Sequence, residues 1–372
     1  MDVYRVGGSV RDEIMGVLSQ DKDYVVVGSS ENELLSLGYK KVGADFPVFL
    51  KDGNEYALAR TELKTSTGYH GFDTSTKNVS LEDDLKRRDF TINSIAKDSK
   101  GNYIDPYNGI NDIKNKILRH TSDAFIEDPL RVLRLARFKS RFVDFHIDSD
   151  TKVLVQYMQK NGLLKELTNE RIYKELEKMF LTSKKSSLFF ITLLDLKLLG
   201  DLFPFISEYS NKDFDILDTA TNQIFQNNKQ KLKILFSVLL YKIFNVKKTE
   251  ETLKIKDYLT LPNNIYKFII LASKYSDITK CLDVEIVVEF FDNIQNKDSL
   301  DDFILFLACV TNSNIQNYNY FYEFYEVYTD ATKLLKNESF NSGLEIKDFL
   351  YRIRILKIQK IGNDIWNKKS LI

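Results

Sequence analysis

The stretches VGGSVRD (residues 6–12) and DKDYVVVG (residues 21–28), the second of which begins nine residues after the first ends, decide the fold of the N-terminal part of the chain. The first predicts a strand that ends at two glycines and passes into a short helix. The second predicts a β-branched strand that opens with two aspartates. Backbone N–H groups at a glycine-rich helix start bind phosphate oxygens. The pair of stretches is therefore either an ordinary turn beside a solvated strand end, or a phosphate cradle with metal ligands.

The two aspartates, Asp21 and Asp23, are two residues apart in an extended segment, so their side chains share a face. Carboxylates held together repel each other unless a cation lies between them. Mg²⁺ takes one or two carboxylates and completes its shell with substrate phosphates. Such a spacing alone is typical of a solvated strand end. Together with Gly8 and Arg11, it favours a nucleotide bound with Mg²⁺.

Composition indicates a soluble globular protein, with 372 residues, 43% apolar residues and 28% charged residues. No apolar stretch is long enough to span a membrane, and the chain opens without a signal segment, so we expect a cytoplasmic protein without membrane contact. The 53 basic and 53 acidic residues balance, which does not favour nucleic-acid binding and does not exclude a basic face. Cys281 and Cys309 are expected to be free thiols.

Periodicity predicts an α+β protein. The first hundred residues alternate strand and helix signals, including a hairpin at Asp52-Gly53 and a helix cap at Ser29 or Ser30. A Thr/Ser/Gly-rich segment (residues 61–78) predicts a long loop, and residues 81–98 have helical periodicity. From about residue 113 the pattern is helical almost to the end.

Five segments, in order, resemble the motifs of the class II nucleotidyltransferases of the DNA polymerase β superfamily, which include CCA-adding enzymes and bacterial poly(A) polymerases. The segments are VGGSVRD with DKDYVVVG, RRDFTIN (residues 87–93), DPYNG (105–109), EDPLR (127–131) and ERIYKELEKMF (170–180). The resemblance covers roughly residues 1–205 and looks closest to bacterial CCA-adding enzymes. It implies a nucleotidyltransferase head (1–115) with a mixed β-sheet, then an all-helical neck (116–205) and body and tail (206–372).

The fourth segment begins an amphipathic helix with arginines along one side. At 100° per residue, that side carries Arg131, Arg134, Arg137 and Arg141, and the opposite side carries Val132, Leu133, Leu135 and Ala136. The side is either a solvated basic face or, as the resemblance implies, the wall of a nucleotide cleft.

Asp128 and Arg131 are neighbours on this helix because they are three residues apart. A carboxylate only accepts hydrogen bonds and a guanidinium only donates them. Cytosine and adenine both offer an amino donor beside a ring-nitrogen acceptor, so one Asp and one Arg can pair with either base. Uracil and guanine place a carbonyl oxygen opposite the carboxylate, which is costly. The pair can thus select C and A without a template, with Glu127 orienting Arg131.

The resemblance also implies the remaining roles. Asp21 and Asp23 would hold the catalytic Mg²⁺, a second ion would steady the pyrophosphate, and Asp89 or Asn93 would contact the ribose. The phosphates would be bound by Gly8, Arg11, Arg88, Arg134 and Arg137. The segment TSTGYHGF (residues 65–72) matches a loop that, in this family, accompanies addition of the final A.

The helical remainder has no counterpart of the phosphohydrolase domain found in many relatives. The three histidines are His70, His120 and His146, so no histidine ligand exists beyond residue 146. We expect no phosphohydrolase activity there, and instead a body and tail that bind the acceptor and T arms of tRNA. The aromatic segment NYNYFYEFYEVY (residues 317–328) either packs inside that body or stacks on RNA bases.

These observations predict template-independent addition of C, C and A to the 3′ end of tRNA from CTP and ATP, with release of pyrophosphate, by a monomer or homodimer. One alternative is a bacterial poly(A) polymerase, although the chain's C-terminal residues are only slightly basic. A second alternative is a non-catalytic RNA-binding module on a decayed nucleotidyltransferase.

Overall fold

The computed structural model describes residues 1–18, 22–43, 47–64, 72–76, 78–247, 249–280, 283–340 and 342–369. Asp21, His70, Cys281 and residues 65–71 of the TSTGYHGF segment lie outside these ranges. The chain forms two compact units, Met1–Ser207 and Glu208–Ile372. No helix among the described residues has both the length and the apolar character needed to cross a bilayer.

The first unit contains the strands and a first set of helices. The strands are β1 Asp2–Val6, β2 Asp23–Val27, β3 Lys40–Val42, β4 Val48–Lys51, β5 Asn54–Leu58, β6 Thr61–Lys64, β7 Phe72–Ser75, β8 Ala96–Lys97, β9 Tyr103–Ile104, β10 Ile117–Leu118 and β11 His146–Ile147. The helices of this unit are α1 Gly8–Ile14, α2 Glu31–Ser36, α3 Leu81–Lys86, α4 Gly109–Lys114, α5 Leu130–Arg141, α6 Ser149–Lys160, α7 Asn169–Thr182, α8 Ser187–Asp195 and α9 Leu199–Leu202.

The central sheet is mixed, with strand order β3-β4-β5-β2-β1-β8-β9. Strands β2 and β5 are parallel and the other neighbours are antiparallel. Adjacent residues of β2 bury on opposite faces, since Val25 packs with Val6 and Leu85 of α3, whereas Val26 packs with Leu34 of α2. A strand buried on both faces reads as an apolar run, and this explains the VVV of β2. The predicted α+β class with a mixed-sheet head is confirmed.

Local turn chemistry follows the sequence closely. Asp52 and Gly53 have φ of 49° and 74°, the geometry of a tight hairpin turn between β4 and β5. Ser30 caps α2 by accepting a hydrogen bond from Glu33 N at 3.3 Å. Both predictions are confirmed.

Two predictions about element type were wrong. The segment at residues 61–78 is not a plain loop, because β6 and β7 pair antiparallel at its ends. The helix predicted over residues 81–98 stops at Lys86, and a 3-10 turn (Thr91–Asn93) and strand β8 follow. Full burial of Phe90, with a bridge to His120, outweighs the helical periodicity there.

Helix α5 carries the predicted arginines and packs against α7 and α8. Its four expected apolar side chains have no solvent exposure, and this confirms their predicted side of the helix: Val132, Leu133, Leu135 and Ala136. Burial of one Val or Leu side chain stabilises the fold by about 1.5–3 kcal/mol.

The regular elements among the described residues of the second unit are helices. Its helices are α10 Asn211–Thr221, α11 Asn228–Val246, α12 Thr249–Tyr258, α13 Asn263–Tyr275, α14 Val284–Asn293, α15 Lys297–Thr311, α16 Tyr320–Asp330 and α17 Gly343–Lys369. The aromatic segment packs inside this unit, where Phe321 contacts the rings of Phe290 and Phe303. Cys309 is a buried free thiol, as predicted, and burial raises its pKa to about 12.

Candidate active site

A cleft of about 610 Å³ lies in the first unit and is strongly basic. Three aspartates line it: Asp23, Asp89 and Asp128. Nine arginines line it: Arg11, Arg60, Arg87, Arg88, Arg131, Arg134, Arg137, Arg141 and Arg171. The structure thus brings residues of the first, second, fourth and fifth motif segments to one place. An excess of six positive charges suits a ligand with several negative charges, such as a nucleoside triphosphate.

The glycines at the end of β1 make room for two of these arginines. Gly7 has φ +72°, and a Cβ at this position would lie 3.0 Å from Nη1 of Arg88. A Cβ on Gly8 would lie 3.4 Å from Nη2 of Arg11. The paired glycines therefore allow guanidinium groups to approach the backbone at the start of α1.

Asp23 is the exposed first residue of β2, a central strand of the sheet, and it lines the cleft. Glu55 of β5 is its direct neighbour in the parallel register, so both side chains are on the same face. Glu55 was not expected at the site from the sequence. Carboxylate oxygens are the ligands that Mg²⁺ prefers, so the starts of these two neighbouring strands fit a divalent cation that also contacts substrate phosphates.

Asp89 is a buried acid that holds two residues of the cleft. Its Oδ2 accepts hydrogen bonds from Nη2 and Nε of Arg134 at 2.6 and 2.8 Å. Its Oδ1 accepts from the amide of Asn93 at 2.9 Å, and Asn93 in turn accepts from Arg11. Burial alone would raise the pKa of Asp89, but the charge of Arg134 and the bonds from Asn93 and Arg134 lower it to about 2. Asp89 is therefore ionised at neutral pH.

Asp84, which has no solvent exposure, holds Arg88 and Arg87 at 3.0 and 2.6 Å. Burial opposes its charge, yet the two arginines outweigh burial and lower the pKa of Asp84. Asp84, which does not itself line the cleft, thus orients Arg87 and Arg88, which do.

The arginines of α5 are also held by acids. Arg137 contacts the buried carboxylate of Glu175 in α7 at 2.6 Å, and Arg141 contacts Asp12 at 3.0 Å. Arg11 binds the same Asp12 at 2.7 Å and lies over the ring of Phe142. Burial lowers the pKa of Arg11 and, despite Glu175, that of Arg137. The arginine side of α5 is a cleft wall and not a solvated surface.

The two residues expected to select the base both line the cleft. Asp128 accepts from Leu130 N at 3.0 Å and from Nη2 of Arg171 at 2.9 Å. The guanidinium of Arg131 donates to the carbonyl oxygens of Ala124 at 2.7 Å and Arg87 at 2.5 Å. Asp128 thus forms an ion pair with Arg171 of α7. Two backbone carbonyls orient Arg131, and the role expected for Glu127 stays a prediction.

Several residues of the site were not expected from the sequence: Arg171 lines the cleft, and Glu175, Asp12 and Glu55 contact or neighbour residues that line it. Arg171 and Glu175 lie in the fifth segment, to which no individual role was given. Asp12 ends VGGSVRD, and Glu55 follows the DG turn on an alternating strand. Only Glu55 could have been found from the sequence, through the alternation of its strand. The other three residues reach the site only through tertiary packing.

Comparisons with known proteins agree with this geometry. Residues 3–119 match the family described as the poly A polymerase head domain. Residues 144–210 match the family described as the probable RNA and SrmB-binding site of polymerase A. The CCA-adding enzyme of Francisella tularensis subsp. novicida (strain U112) is 42% identical over 315 residues, which are 82% of this chain and 81% of that protein.

Solved structures show the same fold along nearly the whole chain. A CCA-adding enzyme in complex with ATP has a TM-score of 0.67 at 25% identity, covering 96% of this chain and 86% of that one. The Thermotoga maritima CCA-adding enzyme complexed with tRNA-CCA has a TM-score of 0.65 at 24% identity, covering 95% and 86%.

Proposed function

Since the chain belongs to the class II CCA-adding enzymes, and is thus a tRNA nucleotidyltransferase, we propose that its cleft adds C, C and A in turn, with CTP and ATP as the substrates. The observation that carries this proposal is that Asp128 and Arg131 line the same cleft as the Gly7-Gly8 turn and Asp23. Base selection, phosphate binding and transfer would then occur at one site.

Asp128 and Arg131 offer an acceptor and a donor to the base. Cytosine and adenine present a matching amino donor and ring-nitrogen acceptor, whereas uracil and guanine present a carbonyl oxygen to Asp128. An acceptor that faces another acceptor stays unpaired, and this mismatch is the basis of the proposed selectivity. No nucleic-acid template is needed, because the protein side chains carry the hydrogen-bonding pattern.

The triphosphate would lie along the arginines of the cleft. Gly8, Arg11, Arg88, Arg134 and Arg137 remain the proposed phosphate ligands, and Asp89 or Asn93 the proposed ribose contacts. Because Asp84, Asp89 and Glu175 already fix three of these arginines, little reorganisation is needed when the phosphates arrive.

In the transfer step, the 3′-oxygen of tRNA forms a bond to the α-phosphorus, and the bond from that phosphorus to the bridging oxygen of the β-phosphate breaks. Pyrophosphate leaves, and the proton of the 3′-hydroxyl passes to solvent or to a nearby carboxylate. The arginines neutralise the charge that develops on the leaving oxygens.

Family membership implies a divalent metal ion, and we propose Mg²⁺ on Asp21 and Asp23. Such an ion, when bound, lowers the pKa of the 3′-hydroxyl and steadies the phosphates for in-line attack. Asp23 fits this role, since its exposed carboxylate lines the cleft beside the proposed phosphate ligands.

We further propose that the second unit contacts the acceptor and T arms of tRNA and has no phosphohydrolase activity. The chain has no histidine beyond His146, so histidine ligands for a hydrolytic metal are missing from that unit. A cytoplasmic location follows from the proposed substrates, and the protein would act as a monomer or homodimer.

One assay tests the proposal. The protein is incubated with tRNA that lacks its 3′-terminal CCA, with Mg²⁺ and with each labelled nucleotide separately and together. We expect incorporation of C, C and A and then a stop. Long A tails, or equal activity on unrelated RNA, would contradict the proposal.

Asp21→Ala and Asp23→Ala test the catalytic carboxylates. Each should abolish incorporation while tRNA binding, measured by filter retention, stays unchanged. Retained incorporation in both variants would remove these residues from the reaction.

A further inference from the structure

We propose that Arg171 determines base selectivity by holding the carboxylate of Asp128 in the orientation that reads the base. This inference rests on the proposed function, because it assigns a partner to the residue expected to accept the amino group of C and A. Arg171 is a positioning residue in this proposal and acts through Asp128.

The contact is short and joins α7 to the residue two positions before the start of α5. Arg171 is the third residue of α7, and its Nη2 lies 2.9 Å from Oδ2 of Asp128, which is 43 residues away along the chain. Both residues line the cleft. Their side chains are 21% and 23% exposed, so the ion pair lies at the wall of the cleft, where a bound base can reach it.

Two donors from different elements fix the carboxylate of Asp128. Leu130 N donates to Oδ1 at 3.0 Å from the start of α5, and Arg171 donates to Oδ2 from α7. The terminal torsion of an Asp side chain is broad, so one donor alone would leave its carboxylate free to turn. With both oxygens bound, the remaining acceptor sites have set directions.

This arrangement explains how the acid can discriminate between similar bases. Selection depends on a carboxylate that faces the amino group of cytosine or adenine as an acceptor. A carboxylate that can turn away from the base avoids the clash with the carbonyl oxygen of uracil or guanine. Loss of Arg171 should therefore raise kcat/KM for the wrong base relative to kcat/KM for the right base.

The test compares nucleotide discrimination in Arg171→Gln with that of the wild-type enzyme. The ratio of kcat/KM for CTP over UTP is measured on tRNA without CCA, and that for ATP over GTP on tRNA ending in CC. We expect both ratios to fall by on the order of 10–100-fold in R171Q, since relief of an acceptor left unpaired against a carbonyl oxygen has an effect of this size. R171K, which keeps the charge without the planar fork, should give an intermediate ratio.

Arg119→Gln is the matched control. Arg119 bridges Asp112 and Asp148 in the same unit, at 3.1 and 2.8 Å, and does not line the cleft. It should leave both ratios unchanged even if it lowers the melting temperature. If R171Q fails to fold, the ratio in R171K decides the matter.

Further variants separate the possible failures. The double variant D128A/R171Q should have the ratios of D128A alone, because Arg171 acts through Asp128. If D128A relaxes selectivity but R171Q and R171K do not, the role of Arg171 is wrong and base selection by Asp128 stands. If D128A itself keeps wild-type selectivity, the proposed base selection is wrong as well.

Discussion

Gly109 is the last residue of the DPYNG segment. Its substitution tests whether the positions of the RRDFTIN residues depend on the packing of α4. It is the first residue of that helix, and its N–H is held by Asp105 at 2.7 Å. A Cβ at this position would lie 2.1 Å from the carbonyl oxygen of Thr91 and 2.9 Å from Cγ1 of Ile95. Gly109→Ala therefore requires one backbone segment to move by about 1 Å, and overpacking of this kind costs about 1–3 kcal/mol.

The segment that must move includes a residue that positions side chains of the cleft. Asn93 lies two residues beyond Thr91 and binds both Arg11 and Asp89. A shift of about 1 Å at such a site can reduce the rate about 100-fold. We expect kcat/KM for addition of the first C, measured in single turnovers on tRNA lacking CCA, to fall by about that factor in G109A.

Gly200→Ala is the control, because Gly200 lies in helix α9 of the same unit and a Cβ there would make only an ordinary contact of 3.8 Å with Ser207. It should keep the wild-type rate. A G109A enzyme with wild-type rate and melting temperature would refute the reasoning, because the clash with Thr91 leaves no unstrained position for the methyl group.

Three further predictions concern buried and paired carboxylates. Glu175→Gln should lower the free energy of unfolding by about 3–5 kcal/mol in urea titrations, because it leaves the buried charge of Arg137 uncompensated; a loss below about 1 kcal/mol would contradict this. Between pH 4 and pH 2 the wild type should lose about 2 kcal/mol of its free energy of unfolding through Asp89. An acid whose pKa is lowered in the folded state stabilises the fold above its unfolded pKa, and this contribution is lost as the pH falls through the folded pKa of about 2. The pH dependence of Asp89→Asn should lack this part. Glu55→Gln should weaken Mn²⁺ binding measured by electron paramagnetic resonance and slow C addition, since Glu55 neighbours Asp23 in the sheet; unchanged Mn²⁺ affinity would exclude it from the metal site.

The sequence was sufficient to predict the elements whose geometry is local. The strand and glycine turn before α1, the Asp52-Gly53 hairpin, the Ser30 cap and the apolar side of α5 each depend on residues within a few positions of one another. The shared cleft of the motif segments was predicted through their resemblance to a known family. Local spacing alone would have left VGGSVRD and DKD open to an ordinary turn.

The partners of the cleft arginines were beyond the reach of sequence reasoning. Arg134 binds Asp89 across 45 residues and Arg171 binds Asp128 across 43, so each pairing depends on how a helix packs against a segment distant in the sequence. The sequence placed Asp128 and Arg131 on one helix, but Asp128 precedes α5, which begins at Leu130, and the ion pair of Asp128 with Arg171 depends on tertiary packing. The end of α3 at Lys86 was likewise set by burial of Phe90 in tertiary structure and not by periodicity.

The acids that hold the arginines differ in one respect that bears on function. Four of them are nearly enclosed, since the side chains of Asp12, Asp84, Asp89 and Glu175 are 10%, 0%, 8% and 2% exposed. Such acids offset the repulsion between neighbouring guanidinium groups and leave the cleft free for phosphate oxygens. Asp128 makes a comparable ion pair but is 23% exposed. The same kind of contact therefore serves two purposes: at the four enclosed acids it fixes cations for the triphosphate, and at Asp128 it leaves a fixed acceptor within reach of the base.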